Sequence, residues 1–134
     1  MNAQTKTVRV AAAMILENHQ VFATQRGYGE FKDGWEFPGG KIEKDESGDR
    51  AVVREIQEEL ASIVEPVQLL TTIEMDYPSF HLSMECWICH LVDGNLCLLE
   101  AEDARWLSRK TIDSVAWLPA DKEVVTQLKE SGLL

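Results

Sequence analysis

Long apolar runs are missing from this sequence. No stretch of eighteen or more apolar residues occurs in it, so we expect no transmembrane helix, which needs about 20 such residues. The apolar stretch at residues 10–16 is short and runs directly into the polar residues 17–20 without a small-residue cleavage site. A signal peptide is therefore not expected either.

Basic residues are scarce and scattered. Thirteen Lys and Arg residues stand against twenty-three Asp and Glu residues, which gives a formal net charge of -10. Because such a chain repels a polyanionic backbone and an anionic lipid surface, we expect neither a nucleic-acid partner nor a membrane partner. An acidic protein can still act on an anionic small molecule when bound cations join the two. The charge therefore favours a metal-dependent site.

Cysteine is rare, and its three copies do not form a pattern that predicts a zinc site or a disulfide framework. Cys86 and Cys89 form one Cys-x-x-C, but there is no second pair to complete a metal site. Both lie in an apolar, strand-like segment, where positions three apart point to opposite faces. We therefore expect two buried thiols in a protein of the reducing cytoplasm.

Linkers are missing as well. The 134 residues contain no Pro/Gly/Ser-rich segment and 45% of them are hydrophobic, which predicts a single domain over residues 1–134. Apolar and β-branched segments predict the strands, which are residues 8–16, 21–25, 35–37, 67–75, 81–92, 96–99 and 104–107. Residues 38–40, Pro-Gly-Gly, are expected to break the chain sharply.

Two segments have a helical pattern. In residues 48–61 the apolar residues Val52, Ile56 and Leu60 recur at intervals of four, and Ser47 is a plausible N-cap. Pro119 can start a final helix that ends near residue 128. The order of two strands, a helix, several strands and a terminal helix predicts an α/β fold, in which helices cover both faces of a mixed sheet as an α/β/α sandwich.

An acidic face is predicted on the first helix. At about 100° per residue, Glu55, Glu58 and Glu59 fall within one arc beside the apolar stripe. Carboxylates this close repel one another, and a divalent cation with oxygen ligands turns the repulsion into attraction. From Glu58 and Glu59 alone, a solvated helix face is the more common explanation. The surrounding pattern (an aromatic strand, Pro-Gly-Gly, an acid at fixed spacing, then Arg-Glu) favours a metal site instead.

The spacing of these residues resembles the signature of the Nudix hydrolase family, which is glycine, five residues, glutamate, seven residues, then Arg-Glu-aliphatic-any-Glu-Glu-any-Gly-aliphatic. Gly40, Glu46 and residues 54–59 fill every charged position of that signature. Two positions depart from it: Ala61 replaces a glycine, which would serve a left-handed helix end, and Ser62 replaces an aliphatic residue. Residues 35–43 are similar to the MutT-like branch, and the fit extends over almost the whole chain.

The resemblance implies metal ligands and catalytic residues. In the family the last glutamates of the signature hold Mg²⁺ (or Mn²⁺), so the expected metal ligands are Gly40, Glu55, Glu58, Glu59 and Glu100. Arg54 and Glu46 would support the geometry between loop and helix, as part of the same catalytic set. Glu100 matches a carboxylate that similar enzymes carry before a late Trp-containing strand. Glu102 is the second choice and Asp103 the third, and a solvated acidic loop is the alternative.

Substrate contacts are implied more weakly. The expected substrate-binding residues are Arg26, Gly39, Gly40, Lys41, Tyr77, Phe80 and Asp121. The alternative for Arg26 is a surface cation. Tyr77 and Phe80 either stack on a base or pack in the core. His81 is expected to be an ordinary strand histidine. Relatives tuned to oxidised guanine carry asparagine at the position of Asp121. An ionised aspartate only accepts hydrogen bonds, which favours a base with an exocyclic amine over strict 8-oxo-guanine specificity, unless Asp121 is simply a favourable first-turn residue.

The leading hypothesis is a magnesium-dependent nucleoside triphosphate pyrophosphohydrolase. It would convert a CTP-type or oxidised (d)NTP, such as 8-oxo-dGTP, to a monophosphate and diphosphate, as a monomer or homodimer. A Nudix hydrolase of ADP-ribose, a dinucleoside polyphosphate or a nucleotide sugar is the alternative enzyme. An RNA-cap hydrolase has no evident groove for a long polyanion in so acidic a chain. A non-catalytic nucleotide sensor is the alternative from another class, although such proteins tend to lose glutamates that are all present here.

Overall fold

Strands and helices alternate along the computed structural model, which describes residues 6–134; the first five residues of the predicted 1–134 domain lie outside the described residues. The strands are β1 (Lys6–Glu17), β2 (Gln20–Gln25), β3 (Trp35–Glu36), β4 (Gly39–Lys41), β5 (Ile63–Asp76), β6 (Phe80–Asp93) and β7 (Asp103–Leu107). The helices are α1 (Gly48–Leu60) and α2 (Pro119–Ser131), with a 3-10 turn at Ile112–Ser114 before α2.

Strand β1 lies at the centre of a mixed seven-stranded sheet with the order β3-β2-β1-β6-β5. It runs parallel to β6, with Lys6 opposite Phe80 and Ile15 opposite Cys89. It is antiparallel to β2 at one end and to β4 in the middle, while β7 pairs with β2. The predicted α/β fold with a mixed sheet is confirmed.

The side chains of β1 alternate between two buried clusters. Ala11, Ala13 and Ile15 pack in the cluster that includes α1, whereas Ala12 and Met14 pack in the cluster that includes α2. All five are at most 3% exposed, and because both faces of the strand are covered, its sequence is continuously apolar instead of alternating. The two helices therefore lie on opposite faces of the sheet, as predicted.

The apolar stripe of α1 fixes the orientation of the acidic face. Val52, Ile56 and Leu60 are fully buried, and burial of each such side chain contributes about 1.5–3 kcal/mol. Ser47 occupies the N-cap position but makes no side-chain capping hydrogen bond. The helix ends at Leu60, and the C-cap residue Ala61 has the left-handed angles φ 50° and ψ 40°, so alanine adopts the turn that a glycine would make more easily.

Helix α2 begins at Pro119 and extends three residues beyond the predicted end. Val124, Val125 and Leu128 face inward, as the sequence predicts, and are at most 4% exposed. Of the described residues, neither helix is long and apolar enough to cross a membrane.

Two predictions about the backbone are wrong. Residues 39–41 form strand β4, because Gly39 and Gly40 pair with Ala12 and Ala11 of the distant β1. The predicted strand at residues 96–99 is an irregular loop. Its backbone N–H groups bind the carbonyl groups at the end of α1 instead of a neighbouring strand.

The cysteines follow the alternation of β6. Cys86 packs in the α2-side cluster and Cys89 in the α1-side cluster. Both are free and buried, whereas Cys97 is free and exposed. Burial raises the pKa of the Cys89 thiol to about 12, so this thiol stays protonated and unreactive at neutral pH.

Candidate active site

Arg54 connects the loop before α1 to the acidic face of the helix. Its guanidinium donates to both carboxylate oxygens of Glu46, at 2.8 and 2.9 Å. It also donates to Glu55 Oε1 at 2.9 Å and to the Lys41 carbonyl oxygen at 2.9 Å. The Arg54 bonds, together with a backbone N–H bond from Glu43, lower the pKa of Glu46 to about 2. Arg54 therefore keeps the loop, β4 and the helix in one fixed arrangement.

Glu55 and Glu59 point toward the backbone of the two glycines in β4. The Gly39 N–H donates to Glu59 Oε2 at 3.3 Å. A Cβ atom on Gly40 would collide with the carboxylate of Glu55. A side chain at position 40 would displace that carboxylate from its bond with Arg54, which gives a physical reason for the first glycine of the signature.

These carboxylates face a cleft of about 500 Å³. The charged groups that line it are Arg26, Glu30, Glu36, Lys41, Glu55, Glu59 and Glu100. Burial is the largest cause that raises the pKa of Glu59 to about 8, and the charges of Glu36, Glu100 and Glu55 contribute to the same rise against the opposing Gly39 hydrogen bond. Ionised Glu59 therefore needs a positive charge in this cleft.

A divalent cation is the group that this donor set fits. Carboxylate oxygens are the ligands that Mg²⁺ and Mn²⁺ prefer, and a cation would permit the ionisation that burial and three neighbouring acids oppose. Within residues 6–134, no three acidic, His or Cys side chains are arranged as a ready-made metal site. Arg54 forms ion pairs with Glu55 and Glu58. The Glu58 side chain is 58% exposed and does not line the cleft.

Glu100 lies across the cleft from α1. It accepts a 3.3 Å hydrogen bond from the Tyr28 hydroxyl group and lines the cleft with Glu59. Glu102, the second choice from the sequence, instead lies 3.5 Å from Lys32 Nζ. Asp103 begins β7 and bonds its own neighbouring amide, Ala104 N–H. The geometry thus brings only the first of the three candidates to the glutamates of α1.

Arg26 and Glu36 form a two-pronged ion pair beside this cleft. The Arg26 Nε and Nη2 atoms donate to the Glu36 carboxylate at 3.1 and 2.6 Å. Arg26 was predicted as a substrate contact, whereas Glu36 was not assigned a role. The available signal was alternation: Glu36 lies between Trp35 and Phe37, which are both buried, so its side chain points to the other face.

A second, mostly apolar cavity of about 240 Å³ continues from the cleft. Both spaces are bordered by Arg26, Glu30, Glu36, Gly39 and Gly40. The rings of Tyr77 and Phe80 are stacked on each other, with centroids 4.8 Å apart, and both line this second cavity. Their backbones are joined by a 2.8 Å hydrogen bond from Tyr77 N–H to the Phe80 carbonyl.

Asp121 is the buried acid of this cavity and is 5% exposed. Burial raises its pKa to about 7, the Phe37 amide bond opposes the rise, and Glu36 adds to it. Near neutral pH the carboxyl group is therefore present in both forms, and its protonated form donates as well as accepts. The acceptor-only behaviour expected from the sequence belongs to the ionised form alone.

His81 does not face either cavity. Its ring nitrogens contact Asp76 at 2.6 Å and Glu74 at 2.7 Å. Both acids raise the pKa of His81. This agrees with the expectation of a strand histidine with ordinary partners.

The sequence matches known proteins over nearly its whole length. Residues 5–131 match the model of the NUDIX domain family. The 8-oxo-dGTP diphosphatase of Escherichia coli K12 is 31% identical over 126 residues, which cover 92% of this chain and 98% of that protein. The CTP pyrophosphohydrolase of Escherichia coli K12 is 29% identical over 117 residues, or 87% of each chain.

A solved structure shares the fold. The MutT NUDIX hydrolase from Burkholderia pseudomallei superposes with a TM-score of 0.83 over 91% of this chain and 98% of that chain. Its sequence identity is 22%, so this similarity supports the arrangement of strands and helices and not a substrate.

Proposed function

Because the chain belongs to the NUDIX domain family, we propose that it hydrolyses nucleoside triphosphates to a monophosphate and diphosphate. It is a hydrolase of phosphoanhydride bonds, related to nucleotide diphosphatases and pyrophosphohydrolases. The proposed substrate is a (d)NTP with a purine or pyrimidine base that carries an exocyclic amine or an oxidised position. We also propose that residues 1–134 act as one domain.

One observation carries this proposal: an apolar cavity with a buried carboxyl group opens directly into an acidic cleft. The cavity of about 240 Å³ has stacked aromatic rings on its wall and suits a base. The adjoining cleft of about 500 Å³ contains the glutamates of α1 and suits a polyphosphate with its cations. Gly39 and Gly40 line both spaces, so we place the sugar and the first phosphate beside their backbone.

The chain's own residues would divide the chemistry between them. When bound, a divalent cation neutralises diphosphate oxygens and activates a water molecule. We assign its ligands to Glu55 and Glu59, with Glu58 after release from Arg54, and to the Gly40 backbone. We assign to Glu100, which lines the same cleft, the role of accepting the proton of the attacking water or of binding the cation as a further ligand. Arg54 and Glu46 hold the loop before α1 against the helix.

We assign to Asp121 the hydrogen bonds to the edge of the base. In its ionised form it accepts from an exocyclic amine, as in cytosine, adenine or guanine. In its protonated form it both donates and accepts, as asparagine does, which suits the changed edge of an oxidised guanine. The pKa of about 7 therefore supports a choice that is broader than strict CTP or strict 8-oxo-dGTP specificity.

Product analysis with purified protein and Mg²⁺ tests this function. The panel contains CTP, dCTP, 5-substituted dCTP, dATP, dGTP, 8-oxo-dGTP and ADP-ribose. We expect monophosphate and diphosphate from at least one triphosphate, well above turnover of ADP-ribose. Turnover of ADP-ribose alone would keep the hydrolase assignment and exclude the triphosphate substrate. Tight nucleotide binding without any turnover would instead support a sensor.

A further inference from the structure

Ser62 is buried at the end of α1, at a position where the Nudix signature has an aliphatic residue. It is 1% exposed. Its hydroxyl group donates to the Leu60 carbonyl oxygen at 3.0 Å and accepts from the Leu96 N–H at 2.8 Å. An aliphatic side chain could make neither bond. The hydroxyl group thus joins the last turn of the helix to a loop more than thirty residues later.

That loop, residues 94–99, lies along the C-terminal end of α1 and is called the docking loop below. Two further backbone bonds hold it there: Cys97 N–H donates to the Leu60 carbonyl at 2.9 Å, and Leu99 N–H donates to the Glu59 carbonyl at 3.3 Å. Carbonyl groups at a helix end have no partner within the helix, so the loop supplies the donors that they lack. Gly94 packs so closely on Ser62 that a Cβ atom there would collide with the Ser62 side chain.

Glu100 directly follows the docking loop in the sequence. The backbone carbonyl oxygen of Glu59 accepts the hydrogen bond from Leu99 N–H of the loop. The side chain of Glu59 lines the cleft that Glu100 also lines. Leu99, the residue before Glu100, is thus tied through its N–H to the backbone of Glu59. The contact that Ser62 makes with the loop lies three residues before this bond, at Leu96.

We propose that Ser62 is a positioning residue, which acts through the docking loop to hold Glu100 opposite Glu59. This inference rests on the proposed function, because it takes Glu100 to be part of the reacting site. It gives the departure from the family signature a role: the hydroxyl group replaces apolar packing with a hydrogen-bonded tie between the helix and the loop.

The test compares Ser62→Ala with a matched serine at the other helix. Ser131 also donates to a carbonyl of the last helical turn, Leu128, and accepts from a later N–H, that of Leu133. Ser131 is remote from both cavities. We expect Ser62→Ala to lower kcat about tenfold with KM changed less than twofold, and Ser131→Ala to leave both unchanged.

A double-mutant cycle with Glu100→Gln separates positioning from general damage. If Ser62 acts through Glu100, Ser62→Ala causes no further loss of kcat once Glu100 is replaced. Equal losses in both backgrounds, or full activity of Glu100→Gln, would overturn the proposal. So would an effect of Ser131→Ala as large as that of Ser62→Ala.

Amide hydrogen exchange gives a readout that needs no substrate. Ser62→Ala should speed exchange at Leu96, Cys97 and Leu99 and leave the amides of β1 protected, because only the docking loop loses its anchor. Unchanged protection of these three amides would overturn the proposal even if activity fell. Failure of the proposed function would show separately, as absence of triphosphate turnover by the wild-type protein, and the exchange result would still decide whether Ser62 anchors the loop.

Discussion

The amide nitrogen of Phe37 donates a 3.1 Å hydrogen bond to Asp121 Oδ1, which lies 84 residues further along the chain. This bond joins the strand segment before Gly39 to the first turn of α2. Asp121 also lines the apolar cavity. Asp121 therefore belongs both to the structural core and to the proposed base site, and its titration affects both.

Asp121→Asn should stabilise the protein at pH 8 and have little effect near pH 4. The pKa of Asp121 is about 7 in the folded protein against an ordinary 3.8, so its contribution to stability is complete below pH 4 and is lost as the pH rises to 7. That loss is at most about 4 kcal/mol, at 1.36 kcal/mol per unit. Asparagine stays neutral and can still accept the Phe37 N–H.

Urea unfolding of Asp121→Asn and wild type at pH 4 and pH 8 measures this difference. Asp93→Asn, on an exposed aspartate of β6, is the control and should change the unfolding free energy little at either pH. Equal stabilities of wild type and Asp121→Asn at pH 8 would mean that the buried carboxyl group ionises without cost.

Mg²⁺ or Mn²⁺ should raise the melting temperature of the wild type at pH 8 but not that of Glu59→Gln. The cation would permit ionisation of Glu59, whose pKa burial raises to about 8, and a ligand at ten times its Kd stabilises the folded state by about 1.4 kcal/mol. Turnover by Glu59→Gln should fall at least about 100-fold, or about 2.7 kcal/mol. Glu130→Gln, on the exposed side of α2, serves as the control. Full activity in both Glu58→Gln and Glu59→Gln would show that the metal assignment is wrong.

Phe80→Ala should raise KM about tenfold and leave kcat within about twofold, because base stacking on an aromatic ring is worth about 1–3 kcal/mol. Phe80 supports the Tyr77 ring, at a centroid distance of 4.8 Å, and lies away from the carboxylates of α1. Steady-state kinetics with the best triphosphate of the panel gives both constants. Val67→Ala, at an exposed residue of β5, is the comparison. A fall in kcat at constant KM would place Phe80 in the reacting site and remove it from base binding.

Ala61→Gly should stabilise the protein by about 0.5–1 kcal/mol. Left-handed backbone costs alanine about 1–2 kcal/mol, and the greater unfolded-state entropy of glycine offsets part of the gain. The same substitution at Ala51, a buried residue of the first turn of α1, should destabilise by about 1 kcal/mol or more. Denaturant unfolding of the two variants gives effects of opposite sign. A loss of stability in Ala61→Gly would contradict the strain assigned to its φ of 50°.

The first helix was predictable because its information is local. The four-residue spacing of Val52, Ile56 and Leu60 defines the buried face, and the same rotation places Glu55 and Glu59 beside it. Strand β4 was not predictable in this way. Its glycines look like a chain break, and only the distant partner strand β1 converts them into a paired strand.

The parts of the site that the sequence did not reveal depend on tertiary burial. The position of Asp121 suggested a base contact, but its partly protonated state follows from a cavity formed by five separate segments. Alternation with buried Trp35 and Phe37 indicated only which face Glu36 points to, and its ion pair with Arg26 forms only in the folded chain. The loop at residues 96–99 is apolar enough to resemble a strand, but its donors are used by the end of α1.

The two cavities share one wall, which includes Gly39 and Gly40, but otherwise use different elements, and this arrangement has an evolutionary consequence. The base cavity takes its walls from the turn between β5 and β6 and from the start of α2, whereas the cleft takes its acids from α1 and from the loop before β7. Outside the shared wall of Arg26, Glu30, Glu36, Gly39 and Gly40, mutations can therefore accumulate in one set of elements without disturbing the other. After gene duplication, a descendant could acquire a different nucleobase preference while its bond-breaking machinery is inherited intact.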